Sequence, residues 1–329
     1  MNKRGYEFSF VWIFAVIVGA FIIALAIFAA NKLIDTQRLG IESERGKQIG
    51  VLLNPVETNL EQTKITKITV SDATRIYNRC RFSGVFGSQD ISTSIKSGIG
   101  EEWRSQEGAA SSFHNKYLFS SSVVEGDKEF YLLSKPFEFP FKVADFIILW
   151  SDKQDYCFVN PFQEIEEELS SLNPENILVA NNINDCPSAS IKVCFSTRPQ
   201  ECDIEVNSNT GTVYKKDAQE TFHYVESFDF NNKFPMLYAA IFSSNLTNYD
   251  CQISRIMNRA VELTRLYQGK SNYLIQNGCG TSIQFDLSSY QSAVQSISNS
   301  QDLASQNILN LAREVKNKNG GLSLSCRLF

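Results

Sequence analysis

A run of uncharged residues from Phe8 to Ala30 constrains this chain more than any other feature. The run is 23 residues long, and only Ser9 and Gly19 in it are not apolar. At about 1.5 Å rise per residue it reaches ~35 Å as a helix, which exceeds a hydrocarbon core of about 30 Å. Because lipid offers the backbone no hydrogen-bond partners, such a segment is expected to be helical. We therefore predict a transmembrane helix over residues 8–30, with the lipid bilayer as its partner.

Two alternatives compete with a retained anchor. A buried core helix rarely needs more than about 14 unbroken apolar residues, so this run is too long for one. A cleaved secretory signal has an apolar region of about 7–15 residues that ends at a small-residue site. Four alanines near the end of the run imitate such a site: Ala24, Ala26, Ala29 and Ala30. The length of the run nevertheless favours an anchor that is retained.

The flanking residues bear on the orientation of this anchor. Lys3 and Arg4 precede the run, but basic residues follow it as well, so the positive-inside rule gives only a weak preference. The short head makes a cytoplasmic N-terminus the simpler arrangement, with the bulk of the chain translocated. We expect a cytoplasmic head (1–7), a transmembrane helix (8–30), a juxtamembrane helical stalk (31–62), a strand-rich extracytoplasmic region (63–232) and a helical C-terminal region (233–329).

The N-terminus carries a resemblance to a known class of membrane proteins. Lys3-Arg4-Gly5 directly before a long apolar helix resembles the class III, prepilin-type signal of archaeal pilin-like proteins. The opening of the chain and the stretch from Phe234 to Gly269 are similar to segments of uncharacterised archaeal single-pass membrane proteins. The resemblance implies cleavage between Gly5 and Tyr6, after which the apolar helix packs into a filament core. Bacterial-type pilins carry Glu at the fifth residue after the cut, whereas this chain has Phe10.

Periodicity predicts an α+β fold for the part of the chain after the anchor. Gly40, Gly46 and Gly50 are expected to loosen the stalk helix, and Pro55 to break it or start a new turn. Short strands are expected from Lys64 to about Tyr224.

Two β-hairpins are expected in this strand-rich region. One is centred on Glu125-Gly126-Asp127 and the other on Asn207 to Gly211. The segment from Phe137 to Trp150 is aromatic and β-branched, and Pro136 and Pro140 restrict it to a sheet edge or a bulge.

One short helix, Phe162 to Leu172, interrupts the predicted strands. Its acids lie near the N-terminal end, where the helix dipole favours them. We interpret them as a solvated face and not as an active site; they are Glu164, Glu166, Glu167 and Glu168.

Apolar residues at steps of three and four predict helices in the C-terminal region. One run extends from Ile253 to Tyr267 and another from Leu287 to Val315, with a break around Asn277 to Gly280. The steps fit a heptad seam, which would suit a coiled-coil oligomer. The runs are short and lack regular flanking charge pairs, so we favour an antiparallel helical hairpin that packs on itself or on the sheet.

All the cysteines lie after the apolar run, and their number is even. In a translocated domain this predicts disulfides, although eight cysteines allow 105 complete pairings. Three are evenly spaced, and a local bridge among them would close a small loop, while Cys326 would tie down the tail. No C-x₂-C pair suggests zinc. The cysteines are Cys80, Cys157, Cys186, Cys194, Cys202, Cys251, Cys279 and Cys326.

No motif identifies a catalytic site. The only imidazoles are His114 and His223, and no nucleophile-elbow, phosphate-loop or dinucleotide motif accompanies them. The formal net charge of −5 argues against nucleic acid as a partner. Asn245-Leu246-Thr247 is an N-glycosylation acceptor pattern, in agreement with an external domain.

We predict a non-enzymatic structural or binding module on a single-pass anchor, with no cofactor or metal. The alternatives are a pilin-like subunit that self-associates in a filament or secretion-type assembly and, third, a carboxylate-based surface enzyme.

Overall fold

The chain forms a mixed α+β structure, in agreement with the predicted fold class. A computed structural model describes residues 10–58, 64–97, 102–103, 107–195, 202–225, 234–280 and 283–329. Within these ranges an N-terminal helix is followed by a strand-rich middle and then by helices.

The N-terminal helix, α1 (Phe10–Thr58), contains the described part of the apolar run and the described part of the predicted stalk. The predicted break at Pro55 is absent, because α1 continues through this residue to Thr58. Pro55 removes one N–H donor from the last turn of α1, and the helix ends three residues later. Gly40, Gly46 and Gly50 do not interrupt the helix either.

Fifteen strands follow within the described residues. In chain order they are β1 (Lys64–Thr69), β2 (Thr74–Arg81), β3 (Ser88–Ser97), β4 (Glu102–Trp103), β5 (Ser111–Phe113), β6 (Leu118–Phe119), β7 (Val123–Gly126), β8 (Glu129–Glu138), β9 (Lys142–Ser151), β10 (Tyr156–Val159), β11 (Ile177–Ala180), β12 (Ile191–Cys194), β13 (Ile204–Asn207), β14 (Thr212–Lys215) and β15 (Glu220–His223).

These strands form three sheets. The first has the order β1-β8-β9-β6, and the second has the order β4-β3-β2-β7 with β5 also paired to β3. The third has the order β11-β10-β12-β13-β14-β15 and combines parallel and antiparallel pairs.

One of the two predicted hairpins is confirmed and the other is wrong. Strands β13 and β14 pair antiparallel around the turn from Asn207 to Thr212, as predicted. The turn at Glu125-Gly126-Asp127 instead joins two sheets, because β7 pairs with β2 whereas β8 pairs with β1 and β9. The Asp152 carboxylate accepts hydrogen bonds from the backbone N–H groups of residues 127, 128 and 129 and so stabilises this crossing.

The proline-containing segment forms the β8–β9 hairpin. A bulge lies between Phe137 and Glu138, as predicted. Strand β8 is not an edge strand, however, because β1 covers its other side up to Ser134. Pro136 lies beyond that pairing, so β1 requires no N–H from it.

Six further α-helices complete the described part of the chain. They are α2 (Gln163–Leu172), α3 (Pro235–Phe242), α4 (Leu246–Gln276), α5 (Ile283–Gln295), α6 (Ser300–Leu303) and α7 (Gln306–Gly321). The predicted helix at 162–172 and the predicted break after residue 276 are confirmed. Helix α4 packs against α5, and α5 against α7, so these helices cover one another and the sheets.

The largest core lies between the sheets and the helices α3 and α4. Aromatic side chains dominate it: the rings of Phe119 and Phe146 are stacked with centroids 4.7 Å apart, and Trp150 lies 5.1 Å from Phe242. The predicted heptad seam of α4 is buried in this same core, through residues such as Ile253, Ile256 and Ala260. Its apolar spacing is therefore used for packing within the chain.

Candidate functional site

The apolar part of α1 is one candidate functional element. Residues Phe10–Leu33 have a mean hydropathy of 3.0, and none of this window is buried within the chain. Among the described residues this is the one helix long and apolar enough to cross a membrane. An exposed apolar helix of this length is compatible with a membrane anchor.

The second half of α1 docks on the sheet that contains β3. Glu42 is nearly fully buried; its Oε1 accepts a hydrogen bond from the backbone N–H of Ile95, at 3.2 Å, and its carbonyl accepts one from the Thr93 hydroxyl, at 2.7 Å. One turn later, Gly46 approaches the carbonyl of Ile91. Residue numbers in β3 fall as those in α1 rise, so the helix and the strand run antiparallel.

Of the glycines in this part of α1, Gly50 is the one whose lack of a side chain the packing requires. A Cβ atom at Gly46 would lie 3.6 Å from the Ile91 carbonyl oxygen, and one at Gly50 would overlap the ring of Phe113. Between them Ile49 is buried in an apolar cluster with Ile91. Two of the three glycines expected to loosen the stalk therefore lie where the helix meets the sheet.

Polar contacts add to the junction on either side of Glu42. The Ser43 hydroxyl accepts a hydrogen bond from the Ala109 N–H, at 3.0 Å. Arg45 forms an ion pair with Asp72 at 2.8 Å. Because α1 is continuous and held at several positions, its apolar half has a defined direction relative to the sheets.

Every cysteine is paired in a disulfide. The pairs are Cys80–Cys251, Cys157–Cys186, Cys194–Cys202 and Cys279–Cys326. The predicted local bridge among the evenly spaced cysteines is the bond between Cys194 and Cys202, which have a sequence separation of 8. The predicted tie on the tail is the bond from Cys326 to Cys279, which lies in the break after α4.

A cleft of about 440 Å³ with a mixed polar and apolar lining is the second candidate element. It lies beside the third sheet, where the ends of β12, β13 and β14 meet the end of α3. Two lysines and two aspartates contribute to its lining, namely Lys192, Lys215, Asp203 and Asp217. This mixed lining offers donors and acceptors for a polar ligand.

Lys215 is the most unusual group at the cleft. Its side chain is buried, and its Nζ donates hydrogen bonds to the carbonyls of Ile241, at 2.6 Å, and Ser243. Burial lowers the pKa of this amine to about 7, although the charge of Glu220 opposes the change. The contacts place the amine at the C-terminal end of α3, where a helix attracts cations. Lys215 therefore joins α3 to the third sheet and caps the C-terminal end of this helix.

The two histidines lie in different parts of the fold, His114 directly after β5 and His223 on β15. His114 Nδ1 lies 2.6 Å from the carbonyl oxygen of Gly87, a contact to the backbone. His223 is on β15, where its carbonyl accepts a hydrogen bond from the Tyr249 hydroxyl. In the part of the chain that the structure describes, no group of three His, Cys, Asp or Glu side chains could hold a metal ion.

The acidic face predicted on α2 is only partly solvated. Glu164, Glu166 and Glu167 are exposed, as predicted. Glu168 instead reaches inward and forms an ion pair with the buried amine of Lys135, at 2.6 Å. The interpretation of Glu168 as a solvated residue is therefore wrong. No local sequence pattern indicates that its partner, Lys135, is buried.

Comparison with known proteins assigns no family or function to this chain. No family model, curated protein or solved structure matches it. The exposed apolar helix and the four disulfides are together compatible with a membrane-anchored extracellular module. The predicted cleavage site at Gly5 and Tyr6 lies outside the described residues.

Buried polar residues are what the sequence interpretation missed. Arg255 on α4 is fully buried, and it donates hydrogen bonds to the carbonyls of Phe86, Lys116 and His114. It also donates to Gln252, which in turn donates to Gln89. The one available signal was polar residues within the apolar periodicity of α4, a pattern equally typical of a solvated helix.

Proposed function

We propose that this protein is a single-pass membrane protein whose N-terminus is cytoplasmic and whose folded domain is extracytoplasmic. The domain acts as a structural or binding module and not as an enzyme. The proposal is carried by the continuity of α1. The first half of this helix is apolar and exposed, and its second half is docked on β3. A bare apolar surface of this size needs lipid or protein to cover it.

The disulfides support an extracytoplasmic location for the folded domain. Four disulfides that use every cysteine are typical of an oxidising environment and rare in the cytosol. The absence of a basic face or tract in the sequence agrees with a partner other than nucleic acid.

Thiol labelling in right-side-out membrane vesicles tests this topology. We expect a membrane-impermeant maleimide to label the protein only after an impermeant reductant has opened the disulfides. A Lys3→Cys variant provides the matched control, since its added thiol should react only after the membrane is permeabilised. Cysteines that react without reductant, or only in permeabilised vesicles, would contradict the extracytoplasmic assignment.

A second candidate function is a pilin-like subunit of a filament or secretion-type assembly. The continuity of α1 favours it, because a filament requires each domain to keep one orientation relative to the apolar helices at its centre. A simple anchor would work equally well with a flexible linker. In this case the apolar half of α1 leaves the bilayer and packs against other copies of the chain.

The mature N-terminus distinguishes these two functions. Mass spectrometry of protein extracted from membranes should find Tyr6 as the first residue of a pilin-like subunit, and a Gly5→Val variant should remain uncut. Retention of residues 1–5 in the wild-type protein would argue against the pilin-like function and leave the anchored module.

A further inference from the structure

The position of the folded domain above the membrane follows from the rigid junction at Glu42. Glu42 lies nine positions after Leu33, the end of the apolar segment, along a continuous helix. At about 1.5 Å per residue this separation is roughly 14 Å. Ile95 of β3 lies at the level of Glu42, because its backbone N–H donates to the Glu42 carboxylate.

From this level β3 continues back toward the membrane. Since β3 runs antiparallel to α1, Lys96 and Ser97 lie about 3 and 7 Å closer to the apolar segment than Ile95 does. Strand β4 pairs with these two residues, with Trp103 opposite Lys96. Their backbones therefore lie roughly 7–11 Å beyond the apolar segment. The interfacial layer of a bilayer extends about 5–8 Å beyond the hydrocarbon core, within reach of side chains from this level.

The side chains at this edge suit such an interface. The guanidinium carbon of Arg75 lies 4.1 Å from the centre of the Trp103 ring, and the same guanidinium forms an ion pair with Glu125 at 2.9 Å. Trp103 remains partly exposed. Lys32 is exposed at the end of the apolar segment of α1. Tryptophan with nearby cations is typical of the headgroup region, where an amphipathic ring can contact both lipid and water.

We propose that the edge formed by Lys96 and Trp103, with Arg75 stacked on the Trp103 ring from the side away from the membrane, contacts the headgroup layer of the bilayer that carries the anchor. This contact would hold the domain against the membrane surface and limit the tilt of α1 and the domain together relative to the bilayer. The inference rests on the proposed membrane anchoring, and commits to lipid headgroups as the partner of this edge.

The three tryptophans of the chain allow a direct test. Trp12 lies in the apolar segment and Trp150 is fully buried in the core, so each probes a different environment. The full chain is reconstituted in phosphatidylcholine vesicles that carry a nitroxide either on the headgroup or on the acyl chain, and tryptophan emission is measured.

Two variants separate the contact from the anchor. We expect the headgroup nitroxide to lower the emission of Trp12→Phe by about a third, through Trp103, and to leave the Trp12→Phe/Trp103→Phe variant unchanged. The acyl-chain nitroxide should quench Trp103→Phe through Trp12, and again leave the double variant unchanged.

Each failure has its own meaning in this design. Suppose the headgroup nitroxide leaves the emission of the Trp12→Phe variant unchanged, while the acyl-chain nitroxide still quenches Trp12 in the Trp103→Phe variant. This result would overturn the headgroup contact and leave the anchor intact. Absence of quenching of Trp12 by the acyl-chain nitroxide would overturn the anchoring, and the headgroup contact with it.

Discussion

Both carboxylate oxygens of Glu168 accept hydrogen bonds from the amine of Lys135, at 2.6 and 2.7 Å. The Lys135 side chain is completely buried, and burial lowers the pKa of its amine while the charge of Glu168 raises it. Glu168 is on α2 and Lys135 is on β8, so this pair joins the acidic helix to the first sheet. Breaking a buried pair on one side leaves an uncompensated charge, which is strongly destabilising.

We expect Glu168→Gln to lower the free energy of unfolding by about 3 kcal/mol, because it removes the charge that compensates Lys135. Glu167→Gln, one residue away and exposed, should change it by less than about 0.5 kcal/mol. Urea denaturation of the disulfide-intact chain in detergent micelles measures both values. Equal effects of the two substitutions would show that the pair has no net role in stability.

Arg255 is expected to be the most sensitive polar position on α4. Arg255→Met removes the donor from three backbone carbonyls, of which that of Lys116 is buried, and leaves the side-chain oxygen of Gln252 in the core unpaired; it should cost about 3 kcal/mol of unfolding free energy. Arg265→Met is the matched control, since Arg265 is exposed and pairs only within the helix, with Glu262. Its effect should stay within about 0.5 kcal/mol. A stable Arg255→Met variant with an unchanged denaturation midpoint would contradict this role.

Lys215 should give the protein a specific dependence of stability on pH. The pKa of its amine is about 7 in the folded chain, below its ordinary value of 10.5. Between these values the unfolded chain binds more protons, so stability should rise with pH, by up to about 1.4 kcal/mol per pH unit. Below pH 7 both states are protonated and this slope should disappear.

The contribution of Lys215 is measured as a difference between variants. Urea denaturation at pH 7, 8 and 9 should give a smaller slope of stability with pH for Lys215→Met than for the wild type. Lys216→Met, which alters an exposed neighbour, should keep the wild-type slope. Identical slopes for all three proteins would show that the amine keeps an ordinary pKa.

The disulfides should differ in their contributions to stability. Cys80–Cys251 closes a loop with a sequence separation of 171, whereas Cys194–Cys202 closes one of 8. In the chain-entropy account the longer loop stabilises by about 2–3 kcal/mol more. Paired Cys→Ser variants, compared by thermal unfolding, should therefore show the larger loss for Cys80 and Cys251. The opposite order would indicate that local packing outweighs loop entropy.

Much of the local structure could be predicted from short-range patterns. The α2 boundaries, the Asn207–Gly211 hairpin and the break after α4 each depend on residues close together in sequence. The turn at Glu125-Gly126-Asp127 was just as clear locally, but the strands on either side of it pair with different sheets. A turn signal indicates where the chain reverses and does not indicate which strands become neighbours.

Features with a local cause can be predicted from the amino-acid sequence: an apolar run longer than a bilayer core, the change between strand and helix periodicities, and enough cysteines for four disulfides. The docking of α1 on β3 through Glu42, the pairing of the cysteines and the burial of Lys135, Lys215 and Arg255 emerge only from the folded chain. Burial and pairing depend on contacts between residues far apart in the chain, which short-range patterns do not encode. A lysine or glutamate looks the same in sequence whether water or a buried partner surrounds its charge.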